Sequence, residues 1–107
     1  MADTAKLMYQ GQPATTDDAA RYTAPATGAV VRSIHVANTT ATPATITLGL
    51  NTGAGMVGAE HFLSALSIPP NGTYDWSGFA VLNASETIRA LQGTALALTL
   101  TISGVEL

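Results

Sequence analysis

The sequence predicts an all-β protein, an antiparallel β-sandwich of about eight strands. Apolar and polar residues alternate with period two, the signature of strands with one buried and one wet face. Threonine recurs on the outer positions, where β-branching favours an extended chain and the hydroxyl stays hydrated. Turn residues interrupt the runs every 8–12 residues or so, the spacing of a sandwich or barrel. Jelly-roll-like and immunoglobulin-like strand plans share this count and spacing, and both stay open.

The first strand is expected over residues 5–10 and the second over 20–24. Between them GQPATTDDAA has no periodicity and reads as a loop or a connector. A stronger strand runs from Ala29 to Asn38, where Val30, Ile34 and Val36 share parity with Arg32. Either a bulge shifts the register at Arg32, or its guanidinium snorkels outward from the core margin. From Ala44 to Asn51, Ile46, Leu48 and Leu50 share a face opposite Thr45, Thr47 and Gly49. Residues 55–66 have some helical spacing, but Gly53, Gly55 and Gly58 argue against a helix. A loop with at most one helical turn is expected there, with a strand from about Glu60 to Leu66. Short strands follow over 73–76, 79–82 and 87–91, separated by turns at Ser77-Gly78 and Asn83-Ala84-Ser85. In the last strand Leu96, Leu98, Leu100 and Ile102 oppose Ala97, Thr99, Thr101 and Ser103. The chain reads as a single domain, with residues 1–20 an N-terminal arm or first strand and 21–107 the sandwich proper.

Composition excludes several functions. Of 107 residues 10% are charged, and 19 Ala and 16 Thr take the place of the missing charges. Ordinary soluble domains carry about 25% charged residues. Lys6, Arg21, Arg32 and Arg89 are the only cations and the net charge is −3, so no basic patch for nucleic acid is expected. The chain has no cysteine, hence no disulfide scaffold, thiolate zinc site or thiol nucleophile. No apolar stretch approaches a membrane span or a signal-peptide core, so synthesis and retention in a cytoplasm are expected. A low-charge Ala/Thr surface packs against neighbouring subunits without desolvating charges.

No catalytic constellation emerges. His35 lies opposite Ile34 and Val36 and should face solvent or an interface. Glu60 and His61 are adjacent and would point to opposite faces of a strand. No nucleophile motif accompanies either histidine, so the chain is read as non-enzymatic. Two histidines without HxH or HExxH spacing, and Asp17-Asp18 without a calcium-loop pattern, predict no metal and no cofactor. The sequons at Asn38, Asn71 and Asn83 read as Asn and Thr in turns. Tyr74 and Trp76 share a strand face with Asp75 behind them, a pattern that could begin a sugar-binding face. The competing reading has Trp76 and Phe79 filling the core while Tyr74 covers an edge.

Two stretches, GAVVRSIHVANTTATPATITLGLN and FLSALSIPPNGTYDWSGFAVLNASETIRALQGTALALTLTISGVEL, carry a run of ordered motifs. A strand ends in a turn at Asn38, a Pro69-to-Gly72 turn follows, and then come a W-G-hydrophobic strand, an Ile-Arg strand and a closing TISGVE. In this order they resemble a family of small bacteriophage virion proteins, of the capsid-decoration or head-fibre type, over residues 28–107. Where that family usually has a Gly-Asp turn before the Ile-Arg strand, this chain has Ser85-Glu86. The resemblance implies a β-sandwich added to the outside of a viral shell and defines no catalytic residue. It implies the major capsid protein and sister subunits as partners, a homotrimer as a form that closes on a local threefold, and a place on the virion surface after assembly in the host cytoplasm. Leu7, Met8 and Tyr9, the patterned part of the N-terminus, are the expected capsid or subunit contacts, through strand addition. The alternatives are a phage tail or tail-tip accessory protein, and a carbohydrate-binding module using Tyr74, Asp75 and Trp76.

Overall fold

In a computed structural model the protein is described over residues 4–15, 20–52 and 61–107. Eight strands follow one another: β1 Thr4–Gly11, β2 Ala20–Thr23, β3 Ala29–Asn38, β4 Ala44–Thr52, β5 His61–Ile68, β6 Thr73–Leu82, β7 Thr87–Gln92 and β8 Leu98–Glu106. The described residues contain no helix. All pairings are antiparallel, in two four-stranded sheets ordered β1-β8-β3-β6 and β2-β7-β4-β5. The first strand thus pairs with the last, the second with the seventh, the third with the sixth and the fourth with the fifth. One long antiparallel ribbon wrapped across two layers gives this order, and it is the jelly roll rather than the immunoglobulin-like plan.

Alternation places the core between the sheets. Leu98, Leu100 and Ile102 of β8 share one core with Ile46 and Leu48 of β4, Ile34, Val36, Leu82 and Ile88, all buried. Truncating any of these large side chains to alanine would cost about 2–5 kcal/mol. Two buried amides anchor the layer's ends. Asn38 donates to the Thr42 and Ile68 carbonyls, at 2.8 and 3.1 Å, and accepts from the Thr40 amide and hydroxyl. Gln92 donates to the Pro13 carbonyl and accepts from the Leu98 amide at 2.8 Å. The Gln92 backbone N–H also donates to the Ala14 carbonyl, so the loop after β1 is fastened to β7. The Asn38 sequon is therefore an internal turn clamp.

Several sequence expectations are corrected in detail. Residues 73–76 and 79–82 form one strand, since the chain runs on through Ser77-Gly78 with a bulge at Gly78-Phe79 instead of turning. Phe79 does not fill the core; it is 69% exposed on the outer face. Leu96 does not join the buried row of β8. It sits in the preceding turn at φ 59°, 71% exposed, while Ala97 is buried. Of the two forms expected for the N-terminus, residues 4–11 adopt the edge strand, paired from Thr4↔Glu106 to Gly11↔Leu100. Asp3, Asp17, Asp18, Glu60 and the glycine-rich stretch 53–60 lie outside the described residues.

The alternatives at Arg32 are resolved in favour of a bulge. The register of β3 shifts between Val31 and Ser33 against both of its neighbours. Between the matching rungs β8 has no intervening residue, β3 has Arg32, and β6 has Gly78 and Phe79. The sheet fans out at this level. The even-numbered inward parity of Ile34 and Val36 is broken so that Arg32 leaves the core side.

Candidate interaction surface

The outer face of the β1-β8-β3-β6 sheet is built from small, uncharged residues. Arg32, His35 and Asp75 are the only ionisable side chains among the described residues that strand register places on it. Its rows differ in chemistry. Ala5, Val105, Val30 and Val81 form one apolar row across all four strands. Leu7, Ser103, Ser33 and Ser77 form the next, with the Ser33 and Ser103 hydroxyls 3.3 Å apart. Gln10, Thr101, His35 and Asp75 form a third, polar row.

At the apolar end the fan-shaped bulge opens a concavity of about 300 Å³, lined by Val30, Arg32, Phe79, Val81, Val105 and Leu107. Val30 forms its floor, 6% exposed yet outside the inter-sheet core. Phe79 and Val81 stand at its rim, 69% and 46% exposed. The Arg32 Nε donates to the Gly78 carbonyl at 3.0 Å, which fixes the guanidinium beside Phe79. Gly78 fits because a Cβ there would lie 2.9 Å from the Trp76 indole. Bulged Arg32, glycine and outward phenylalanine are thus one geometric unit. Natural surfaces scatter single apolar residues, whereas a contiguous apolar patch in a concavity marks a contact site.

The sequence-derived candidates fall differently. Tyr74 and Trp76 share a face as expected, but it is the inner one, and both rings pack against the core. Trp76 meets Phe62 edge to face, with centroids 5.1 Å apart and planes at 81°. Asp75 lies on the outer face, bonded to His35 Nδ1. The aromatic pair and the carboxylate therefore serve opposite surfaces, and they do not form a shared sugar platform. His35 faces outward as its parity requires, with 45% side-chain exposure. Leu7 is 55% exposed on the outer face, whereas Met8 is bulged into the core and Tyr9 packs against it. Of the three expected N-terminal contacts, Leu7 alone presents its side chain outward.

Sequence reasoning passed over Phe79, Val81, Val105, Val30 and Leu107 as a group. The signal was present in β6: Ser77, Phe79 and Val81 share parity with Asp75, opposite Tyr74, Trp76, Ala80 and Leu82. Splitting the strand at Ser77-Gly78 concealed that alternation. No protein-family model matches the chain, and no curated protein matches it in sequence.

Proposed function

We propose that this chain is a non-enzymatic structural protein of a bacteriophage virion, decorating or cementing the capsid exterior through non-covalent contacts. The observation that carries the reading is the outer face of the β1-β8-β3-β6 sheet. It is almost free of charge and bears an exposed apolar end at Phe79, Val81 and Leu7. Such a face can be covered by neighbouring subunits without desolvating ions, which is the main cost of burying an ordinary protein surface. The motif order over residues 28–107 supports the same reading. The jelly roll is compatible with it by analogy only, since one fold serves many functions.

The mechanism is binding linkage. A protein that binds the assembled shell, and not its separated subunits, stabilises the shell in proportion to the logarithm of its saturation. The test compares phage particles with and without the protein. Particles lacking it should release DNA at lower temperature or milder osmotic shock, and purified protein should restore resistance at hundreds of copies per particle. Equal resistance of the two particles, or a copy number of a handful, would refute cementing and leave the tail accessory role.

A further inference from the structure

We infer that the concavity between Phe79 and Leu107 is a docking site for a partner-protein segment carrying an aliphatic side chain next to a carboxylate. The inference rests on the proposed virion role for the identity of the partner and on the groove itself for the chemistry. The walls are apolar: Val30, Phe79, Val81, Val105 and Leu107. An aliphatic side chain laid there covers Phe79 and Val81, which the chain alone leaves 69% and 46% exposed.

Charge selects the occupant. Arg32 is the one ionisable side chain lining the groove, and the Leu107 main-chain oxygen accepts from the Thr27 hydroxyl. Its Nε is committed to the Gly78 carbonyl, which orients the exposed guanidinium and leaves its terminal nitrogens without a partner among the described residues. The carboxylates nearest in the ladder are turned elsewhere. Glu106 accepts from Tyr22 on the inner side, and Asp75 pairs with His35 in the polar row. A guanidinium on an apolar rim, paired with no carboxylate side chain among the described residues, complements an incoming carboxylate in a two-pronged geometry. It also disfavours a second copy of the same face, which would bring two Arg32 cations together. Regular alternation would turn Arg32 inward with Ile34, and the bulge re-aims it onto the groove.

The test has two arms. In the first, isotopically labelled full-length protein is titrated with the peptides acetyl-Asp-Leu-amide and acetyl-Asn-Leu-amide, and amide shifts are followed by NMR. The acidic peptide should move the amides of Phe79, Val81 and Val105 at millimolar concentration, with Arg32→Gln weakening it about tenfold, the scale of one charge-assisted contact. Phe79→Ser should weaken both peptides. Equal affinity for the two peptides, or shifts at these amides that follow protein concentration without peptide, would overturn the assignment; the latter outcome would identify a second copy as occupant. In the second arm, shells assembled without the protein are incubated with wild-type, Arg32→Gln and Phe79→Ser proteins. Wild-type binding that falls at least tenfold in both variants supports the groove as the docking site. Wild-type binding unchanged in both variants overturns the groove while leaving the virion role, and no shell binding by any protein, with the peptide arm positive, overturns the virion role while leaving the groove.

Discussion

The Tyr22 hydroxyl donates to Glu106 Oε2 at 2.5 Å, tying β2 of one sheet to β8 of the other across an open end of the sandwich. Burial, and then the hydrogen bond and charge of Glu106, raise the Tyr22 pKa well above its ordinary value. A raised folded-state pKa gives stability that is complete below the unfolded value, about 10 for tyrosine, and is lost as pH rises beyond it. Stability should therefore decline above about pH 10. Tyr22→Phe should flatten that alkaline limb relative to wild type. Urea midpoints at pH 8, 9, 10 and 11 or thereabouts would check this, and identical limbs in the two proteins would contradict it.

Asn38 is 3% exposed and serves four hydrogen bonds that shape the β3–β4 turn and hold the end of β5. Asn38→Ala would strand the Ile68 carbonyl in the core and free the Thr40 amide. The expected loss is about 2–4 kcal/mol, above that of a typical surface change. Asn38→Asp should be no better, because a carboxylate cannot donate to the Thr42 and Ile68 carbonyls. Urea unfolding of the two variants measures both losses.

Three residues with side chains occupy left-handed backbone at exposed turns, Asn71 at φ 54°, Ser85 at φ 65° and Leu96 at φ 59°. The Glu86 carboxylate accepts from the Asn83 amide at 2.7 Å and closes the turn around Ser85, so that geometry is held by its neighbours. Glycine adopts this conformation without steric cost. Ser85→Gly and Leu96→Asn should each raise stability by about 0.5–1 kcal/mol, as strain relief exceeds the entropy change. A fall in melting temperature for both would contradict the strain assignment.

Gly104 of β8 pairs with Val31 of β3. A Cβ there would stand 2.0 Å from the Val30 carbonyl oxygen and 2.7 Å from the Met8 methyl. The methyl can move, but the carbonyl belongs to the ladder. Gly104→Ala should cost several kcal/mol, about 3 or more, by displacing β3 from β8. Near-native stability, read by thermal unfolding, would mean that this ladder yields more readily than its geometry implies.

The strands with a full inner row were legible because alternation is a short-range property. Ile46, Leu48 and Leu50, or Leu98, Leu100 and Ile102, announce their own face. Which sheet each strand joins was not legible, since the jelly-roll order depends on pairings between distant residues such as Thr4 and Glu106. The groove was hidden for a related reason. Its members come from β3, β6, β8 and the chain's last residue, and only the bulge at Arg32 brings them to one face. Gly78 looked like a turn residue; its role is to make room beside Trp76. Composition was informative at a coarser level, because the scarcity of charge reappears as a low-charge outer face.

Trp76 and Phe79 are three residues apart on one strand and face opposite surfaces, which gives a direct test of β6 as one continuous strand. Trp76 packs on the core and edge-on against Phe62, while Phe79 is 69% exposed. Trp76→Ala should lower stability by about 3–5 kcal/mol through lost burial and a cavity. Phe79→Ala should stay within about 0.5 kcal/mol of wild type, as surface substitutions do. The same variant should bind less of an apolar dye and stay soluble at higher concentration, because it removes the largest exposed ring from the groove. If Phe79→Ala were as destabilising as Trp76→Ala, its ring would have to lie in the core, and the outward placement of the groove would be wrong.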